Sequence, residues 1–494
     1  MNKAIWFRSF LSIVLLFAPQ ASTLCLAQST NEYPANSIPT PRPFDPSTNS
    51  TNPSAAATQV LNPFLGSVPE ERLQPGSRSI SLIQGVQLAL RSNLGVIDTQ
   101  LQDTSQRAAR QRALSELLPH LYATASQSYA LVSTIPSGGR QLALPYIVGP
   151  LSYQTVNVEL SQNVFDAAAT LQLQSATRES QASAMRNLDS RNVVVLAAAS
   201  AYIAITATES GVRADSAALL SAQTLETLMR DRVDRNVSPQ IDFIRAAVAE
   251  RTTEQRLSLA QIQLAKDKLA LTRIVGLSLG QQFTLSTELR YQEAPEEDLD
   301  QLLVVARANR DDLKAAARTQ DAANSAVKAA SARRLPTVSV LADFGGTGIT
   351  PAHGYNTYDV VGTIRMPLFT GGEIAADVMD ARATRARRTA EYRDLDARVE
   401  YDVRSAYLDL QGARISVSVA SQNLDLAKEG LKEAQDRFDV GLANALELMQ
   451  AQQAIAEAEN NYISSLYAHN LAKLMLIRST GTAERDLQAY MGGS

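Results

Sequence analysis

The chain has 494 residues, a length for about three average domains, and its 45% hydrophobic and 19% charged residues exclude disorder as a whole. A net charge of −4 lacks the basic balance of a dedicated nucleic-acid binder, so no nucleic-acid partner is expected. One Cys (Cys25) and three scattered His (His120, His353 and His469) exclude a disulfide framework and any Cys-based zinc site, and no metal or other cofactor is expected.

In chain order, residues 1–27 read as a cleaved signal peptide. Lys3 and Arg8 flank the start of an apolar run, Phe10 to Ala18, and Cys25-Leu26-Ala27 supplies small residues ahead of a cleavage site before Gln28. The run is about half of the ~20 residues a bilayer span needs. Leu24 is the wrong neighbour for lipid attachment at Cys25. Residues 28–78 hold nine of the 19 prolines, mixed with Ser, Thr and Asn. Such a leader is expected to stay disordered, because its apolar surface is too small to offset the entropy of ordering.

One pattern then occurs twice. Val164-Phe165-Asp166 answers Leu368-Phe369-Thr370, and Arg232-Val233-Asp234-Arg235-Asn236 answers Arg437-Phe438-Asp439-Val440-Gly441. Asp242 answers Glu447 and Gly276 answers Gly481, all at near-constant spacing. Repeat 1 is 79–276 and repeat 2 is 296–481, with a linker at 277–295 and a tail at 482–494. Each repeat reads helix, strand, loop, strand, long helix, turn, helix. Strands are expected at about 120–131 and 153–165, then 337–344 and 358–369, with outward loops at 132–152 and 345–357. Val156, Val158 and Leu160 alternate with Thr155, Asn157 and Glu159, the period of a strand with one apolar face.

The helices set the scale. Ala167 to Val233 runs without Pro and spans ~100 Å. Pro239–Val275 and Asp98–Leu118, at ~55 Å and ~32 Å, nearly sum to it. Glu373–Arg437, Ala445–Ser479 and Asp311–Arg334 repeat the relation. One long helix beside two shorter ones stacked end to end is therefore expected, with strands at one end and helix turns at about 234–239 and 439–444 at the other. Leu448, Ile455 and Tyr462 step by seven, as in helix seams. The charge-free stretch Asn192 to Thr208 reads as a buried helix face rather than a membrane span.

Strand alternation alone fits a half-buried soluble sheet as well as a membrane sheet. Four strands cannot close a barrel, and open strand edges are not tolerated in lipid. If these strands cross a membrane, several chains must share one barrel.

Residues 79–481 resemble the TolC family of outer-membrane efflux and secretion channels. The resemblance rests on Ala332-Arg333-Arg334-Leu335-Pro336-Thr337-Val338, Pro367-Leu368-Phe369-Thr370-Gly371-Gly372, Arg437-Phe438-Asp439-Val440-Gly441-Leu442 and the run Leu446 to Gln452, together with the duplication. It implies a mainly α fold with a small β part: a homotrimeric helical tunnel capped by a shared twelve-stranded β-barrel. It also implies a gated channel of a tripartite efflux or type I secretion system. The implied partners are outer-membrane lipid, a periplasmic adaptor (membrane fusion) protein and an inner-membrane pump. The 277–295 linker would join the equatorial belt.

The resemblance places the tip turns and adaptor docking at Asn236, Gly441, Phe438 and Leu442. It places an entrance ring at Asp242 and Glu447, six residues after each turn. Helix-terminal carboxylates stabilised by the dipole would look the same in sequence. Family members often latch the tip with a Tyr and an Arg where this chain has Phe438 and Ala443. Latching is therefore expected from Arg232, Asp234, Arg437 and Asp439, or else the entrance is looser. The rival reading is a secreted or periplasmic coiled-coil scaffold without channel activity. No catalytic constellation is visible, so an enzyme is not expected.

Overall fold

The computed structural model describes residues 62–69, 76–133, 145–286, 290–295, 298–349 and 354–491, all within the compact unit Pro41–Ser494. The expected signal peptide, most of the leader and the middles of both outward loops lie outside the described residues.

Repeat 1 contains β1 (Arg78–Ile80), α1 (Leu82–Ser92), α2 (Leu94–Ser115), β2 (His120–Ser133), β3 (Ile147–Phe165), α3 (Ala167–Asp234) and α4 (Gln240–Val275). After β4 (Phe283–Leu285) come α5 (Leu299–Asn309), α6 (Asp311–Ala332), β5 (Thr337–Gly348), β6 (Gly354–Arg365), α7 (Glu373–Asp439), α8 (Ala445–Ser479) and α9 (Ala483–Met491). The long helices α3 and α7 have 68 and 67 residues, ~100 Å each. Asp166 starts α3 by accepting a hydrogen bond from the Ala169 N–H at 2.8 Å. Gly276 ends α4 in the left-handed region, φ +78°.

The helices form a wall one helix thick. Nearer the strands its order is α2, α3, α6, α7; at the other end it is α4, α3, α8, α7. Ala-rich faces let these helices approach closely. The charge-free stretch of α3 is the centre of this packing: Val193, Val194, Val195, Ala198, Ala199 and Ile205 are fully buried. Although α3 is long and apolar enough to cross a membrane, 78% of its most apolar window is buried in the chain.

The four long strands form one antiparallel sheet, β2-β3-β5-β6. Its register aligns Ala123, Val158, Phe344 and Tyr358 across all four strands on one face. The adjacent row, Tyr122, Glu159, Asp343 and Asp359, lies on the opposite, polar face. On that face Asn157 donates to Asp343 at 2.5 Å. Leu121, Val156, Val158, Phe344, Tyr358, Val360 and Ile364 are exposed on the apolar face. Among the described residues, the outer edges of β2 and β6 pair with no other strand.

Several boundaries differ from expectation. The leader was expected to be disordered through 78, but Pro63–Leu65 forms a 3-10 turn and Arg78–Ile80 pairs in parallel with β4. Phe64 packs so closely on Gly95 that a Cβ there would clash with its ring, and Ser67 donates its Oγ to the Arg273 carbonyl at 2.5 Å. Local apolar residues and backbone bonds to the linker therefore order this part. The outward loops are shorter than expected, because β2, β3, β5 and β6 extend through 133, from 147, through 348 and from 354. At its other end β6 stops at Arg365 rather than 369, ahead of Pro367, which has no N–H for the ladder. Within the tail, Ala483–Met491 is a helix tied to α3 by Arg191–Glu484.

Candidate functional site

At the end of the helices remote from the sheet, each repeat reverses direction through the same hydrogen-bonded turn. After α3, Asn236 takes φ +56°; after α7, Gly441 takes φ +79°. The Val237 N–H donates to the Arg232 carbonyl and the Asn236 N–H to the Val233 carbonyl, at 2.8 and 2.9 Å. The second turn repeats this with Leu442 to Arg437 and Gly441 to Phe438, at 2.8 and 3.1 Å. These paired bonds close the helix carbonyls in a Schellman cap, which needs a left-handed residue at one position. Gly adopts it freely and Asn is the next most tolerant residue, which explains both identities.

Asp242 and Glu447 occupy the same position, the third residue of α4 and of α8. Asn444 caps α8 by accepting from the Glu447 N–H at 2.9 Å. Neither carboxylate stands alone. Asp242 lies 3.7 Å from Arg245, and Glu447 lies 3.2 Å from Arg437. These exposed pairs are screened and each is worth less than ~1 kcal/mol. They nevertheless place a positive charge beside each candidate ring carboxylate.

Phe438 departs from the docking role expected of it. It is 3% exposed and packs with Leu225 and Met229 of α3, Ala246 of α4, Ala434 of α7, and Ala445 and Leu448 of α8. The guanidinium carbon of Arg232 sits 4.1 Å from the centroid of the Phe438 ring. This cation–π contact joins the two repeats at the tip. Among the described residues Asp234 and Asp439 make no ion pair, whereas Arg232 stacks on Phe438 and Arg437 pairs with Glu447. The exposed apolar side chains at the turns are Val237, Val440 and Leu442, at 69%, 70% and 75%.

Sequence reasoning missed the part played by Arg245, although its i, i+3 spacing from Asp242 was a usable signal. It also missed Arg232 over Phe438, for which no local pattern exists. Among the described residues, no group of three His, Cys, Asp or Glu is arranged to hold a metal ion.

Comparisons with known proteins agree with this architecture. Residues 302–482 match the family model described as outer membrane efflux protein. The chain is 21% identical over 400 residues to the outer membrane protein TolC of Vibrio cholerae, covering 76% of this chain and 90% of that one. It is 23% identical over 427 residues to the outer membrane protein OprJ of Pseudomonas aeruginosa, covering 83% and 86%. The crystal structure of the Campylobacter jejuni CmeC outer membrane channel superposes with a TM-score of 0.73 at 17% identity, covering 85% of this chain and 92% of that one.

Proposed function

We infer, from its likeness to outer-membrane efflux proteins of the TolC type, that this chain is the outer-membrane channel of a tripartite export system. It passes substrates received from an inner-membrane pump across the periplasm and outer membrane. The observation that carries this reading is a four-stranded sheet with one exposed apolar face, continuous with helices of ~100 Å. A coiled-coil scaffold has no use for such a face.

The finer reading is a homotrimer with a shared twelve-stranded barrel. Two features support it. The edges of β2 and β6 are open, and lipid does not tolerate open edges. Both edge helices also expose apolar stripes away from their own chain: Ile241, Ile244, Val248, Leu259, Ile262 and Leu269 on α4, and Tyr401, Leu408, Ile415 and Leu426 on α7. A head-to-tail ring, β6 to the next β2 and α7 to the next α4, covers both kinds of edge.

At the periplasmic tip, three copies of Asp242 and Glu447 form the entrance ring, moderated by Arg245 and Arg437. The turns at Asn236 and Gly441, with Leu442, receive the adaptor protein. Arg232 on Phe438 acts as the latch within each chain. Fractionation and planar-bilayer recording test the reading together: the protein should be found in outer membranes and insert as a cation-preferring pore. A soluble protein, or one without conductance, would overturn it.

A further inference from the structure

The wall edge made by α2 and α4 has a break in it. α4 ends at Val275 and α2 begins at Leu94, and both pack on α3. Ser92, the last residue of α1, donates its Oγ to the Val275 carbonyl at 2.8 Å. The end of α1, the end of α4 and the start of α2 therefore meet, and helix ends leave backbone groups to be satisfied. Residues 62–69 fill this break. The Leu94 N–H donates to the Gly66 carbonyl at 3.0 Å, and the Val68 N–H to the Ser92 carbonyl at 2.9 Å. Asn93 Nδ2 donates to the Phe64 carbonyl at 2.8 Å. The 3-10 turn Pro63–Leu65 touches α2, α3 and α4 at once. Phe64 and Leu65 are half-buried in these contacts, whereas Val68 is exposed.

Val68 bridges two exposed apolar stripes. α4 exposes Ile262 and Leu269, and α2 exposes Leu94 and Leu101, each pair seven residues apart as in a helix seam. On the opposite edge of the wall α7 exposes Tyr401, Leu408 and Ile415 at the same step. Cross-wall bonds give the heights of these residues. Gly481, just past α8, lies against the Arg310 backbone at the start of α6. At this joint Arg310 pairs with Asp402 of α7, and Arg478 pairs with Asp189 of α3, both at 2.8 Å. Asp402 and Asp189 are thus nearly level. Thr99 of α2 bonds Ser190 of α3 at 2.8 Å, which places Tyr401 level with Thr99 and Leu101. Leu408 lies ~10 Å closer to the tip, level with Leu94 and the segment 62–69.

Rotation about a tunnel axis leaves every residue at its own height. We propose that the segment 62–69 is a subunit contact: Val68, with Leu94, receives Leu408 of the next copy of this chain. The occupant is a second copy because the apolar stripe continues without interruption through Val68 and meets its match in height and spacing on α7. The segment then closes the seam between copies at the one level where the edge helices break. This contact rests on the head-to-tail ring, and its test separates the two.

Cys25 is the only Cys in the sequence, so introduced Cys pairs can be read directly. The full chain carrying Val68→Cys and Leu408→Cys would be treated in outer membranes with a short bis-maleimide and run on denaturing gels. Both sites are exposed, so the fold should tolerate the changes. Covalent dimers and trimers should form, and neither single variant should give them. A reference pair reports the ring without the segment 62–69. Arg256 pairs with Asp215 and Lys268 with Glu209, which sets Ile262 of α4 level with Leu426 of α7. Ile262→Cys with Leu426→Cys should also link. Val68→Cys with Leu426→Cys, ~27 Å apart in height, should not. If the reference pair links and the Val68–Leu408 pair does not, the ring stands and this contact is overturned. Linking by Val68→Cys alone, or equally with Leu426→Cys, also overturns it. If neither pair links, the ring falls and the contact with it.

Discussion

Arg232 and Phe438 come from different repeats, and their contact at 4.1 Å is a direct side-chain link between α3 and α7 at the tip. Such a contact is worth ~0.5–2 kcal/mol. Arg232→Gln should therefore raise basal conductance in planar bilayers while leaving assembly intact; unchanged conductance would remove the latch role. Glu447 is partly neutralised by Arg437 at 3.2 Å. Arg437→Gln should then strengthen cation preference, and the double change Asp242→Ala with Glu447→Ala should weaken it. Reversal potentials in a salt gradient distinguish the two directions. His469 gives a pH signature. Its folded pKa of about 4 lies below the ordinary 6.5, so stability is lost as pH falls from 6.5 toward 4. His469→Gln should flatten the melting temperature across that window. The positions of Asp242 and Glu447 after each turn were legible in the sequence because the duplication repeats their distance from it. Their Arg partners were less so: Arg437 reaches Glu447 only across a folded turn, and Arg232 finds Phe438 only when two hairpins pack.

At the scale of elements, the two caps show what duplication preserved. Both use the same pair of backbone bonds, with Asn in one and Gly in the other. A Cβ at Gly441 would meet nothing within 4 Å, so the only obstacle to Ala is its φ of +79°. Gly441→Ala should cost about 1–2 kcal/mol and lower the unfolding midpoint accordingly, whereas Asn236→Gly should leave it unchanged or higher. Helix and strand types were readable because their periods of 3.6 and 2 persist over long stretches. Element ends were not. Gly149-Pro150 reads as a loop, yet β3 runs through it, held by β2 pairing on either side from Ile147 to Leu151. The nine residues of α9 are a short stretch, although Ala483, Leu487 and Tyr490 fall on one buried face, and tertiary bonds fix their place: Arg191 to Glu484 and Lys473 to the Tyr490 carbonyl.

For the whole molecule, the chain is one section of a wall with two unlike edges. The strands and helices agree on which elements are outermost: β2 with α2 and α4 on one side, β6 with α7 on the other. Leu408 and Ile415 on α7 are each 67% exposed, so replacing both with Glu should leave the chain folded and weaken only its association. Far-UV circular dichroism beside light scattering would show helix retained and mass reduced. The proposed closure by other copies follows from the strand count, since four strands make no barrel. Which edge meets which was not legible in the sequence, because it depends on the order of helices in the folded wall.

The most direct test of the account is the native mass of the mature protein extracted from outer membranes in mild detergent. Three chains per particle, with strand content retained by infrared spectroscopy, is the predicted result. A monomer with all its strands formed, or particles of two or six chains alone, would contradict it.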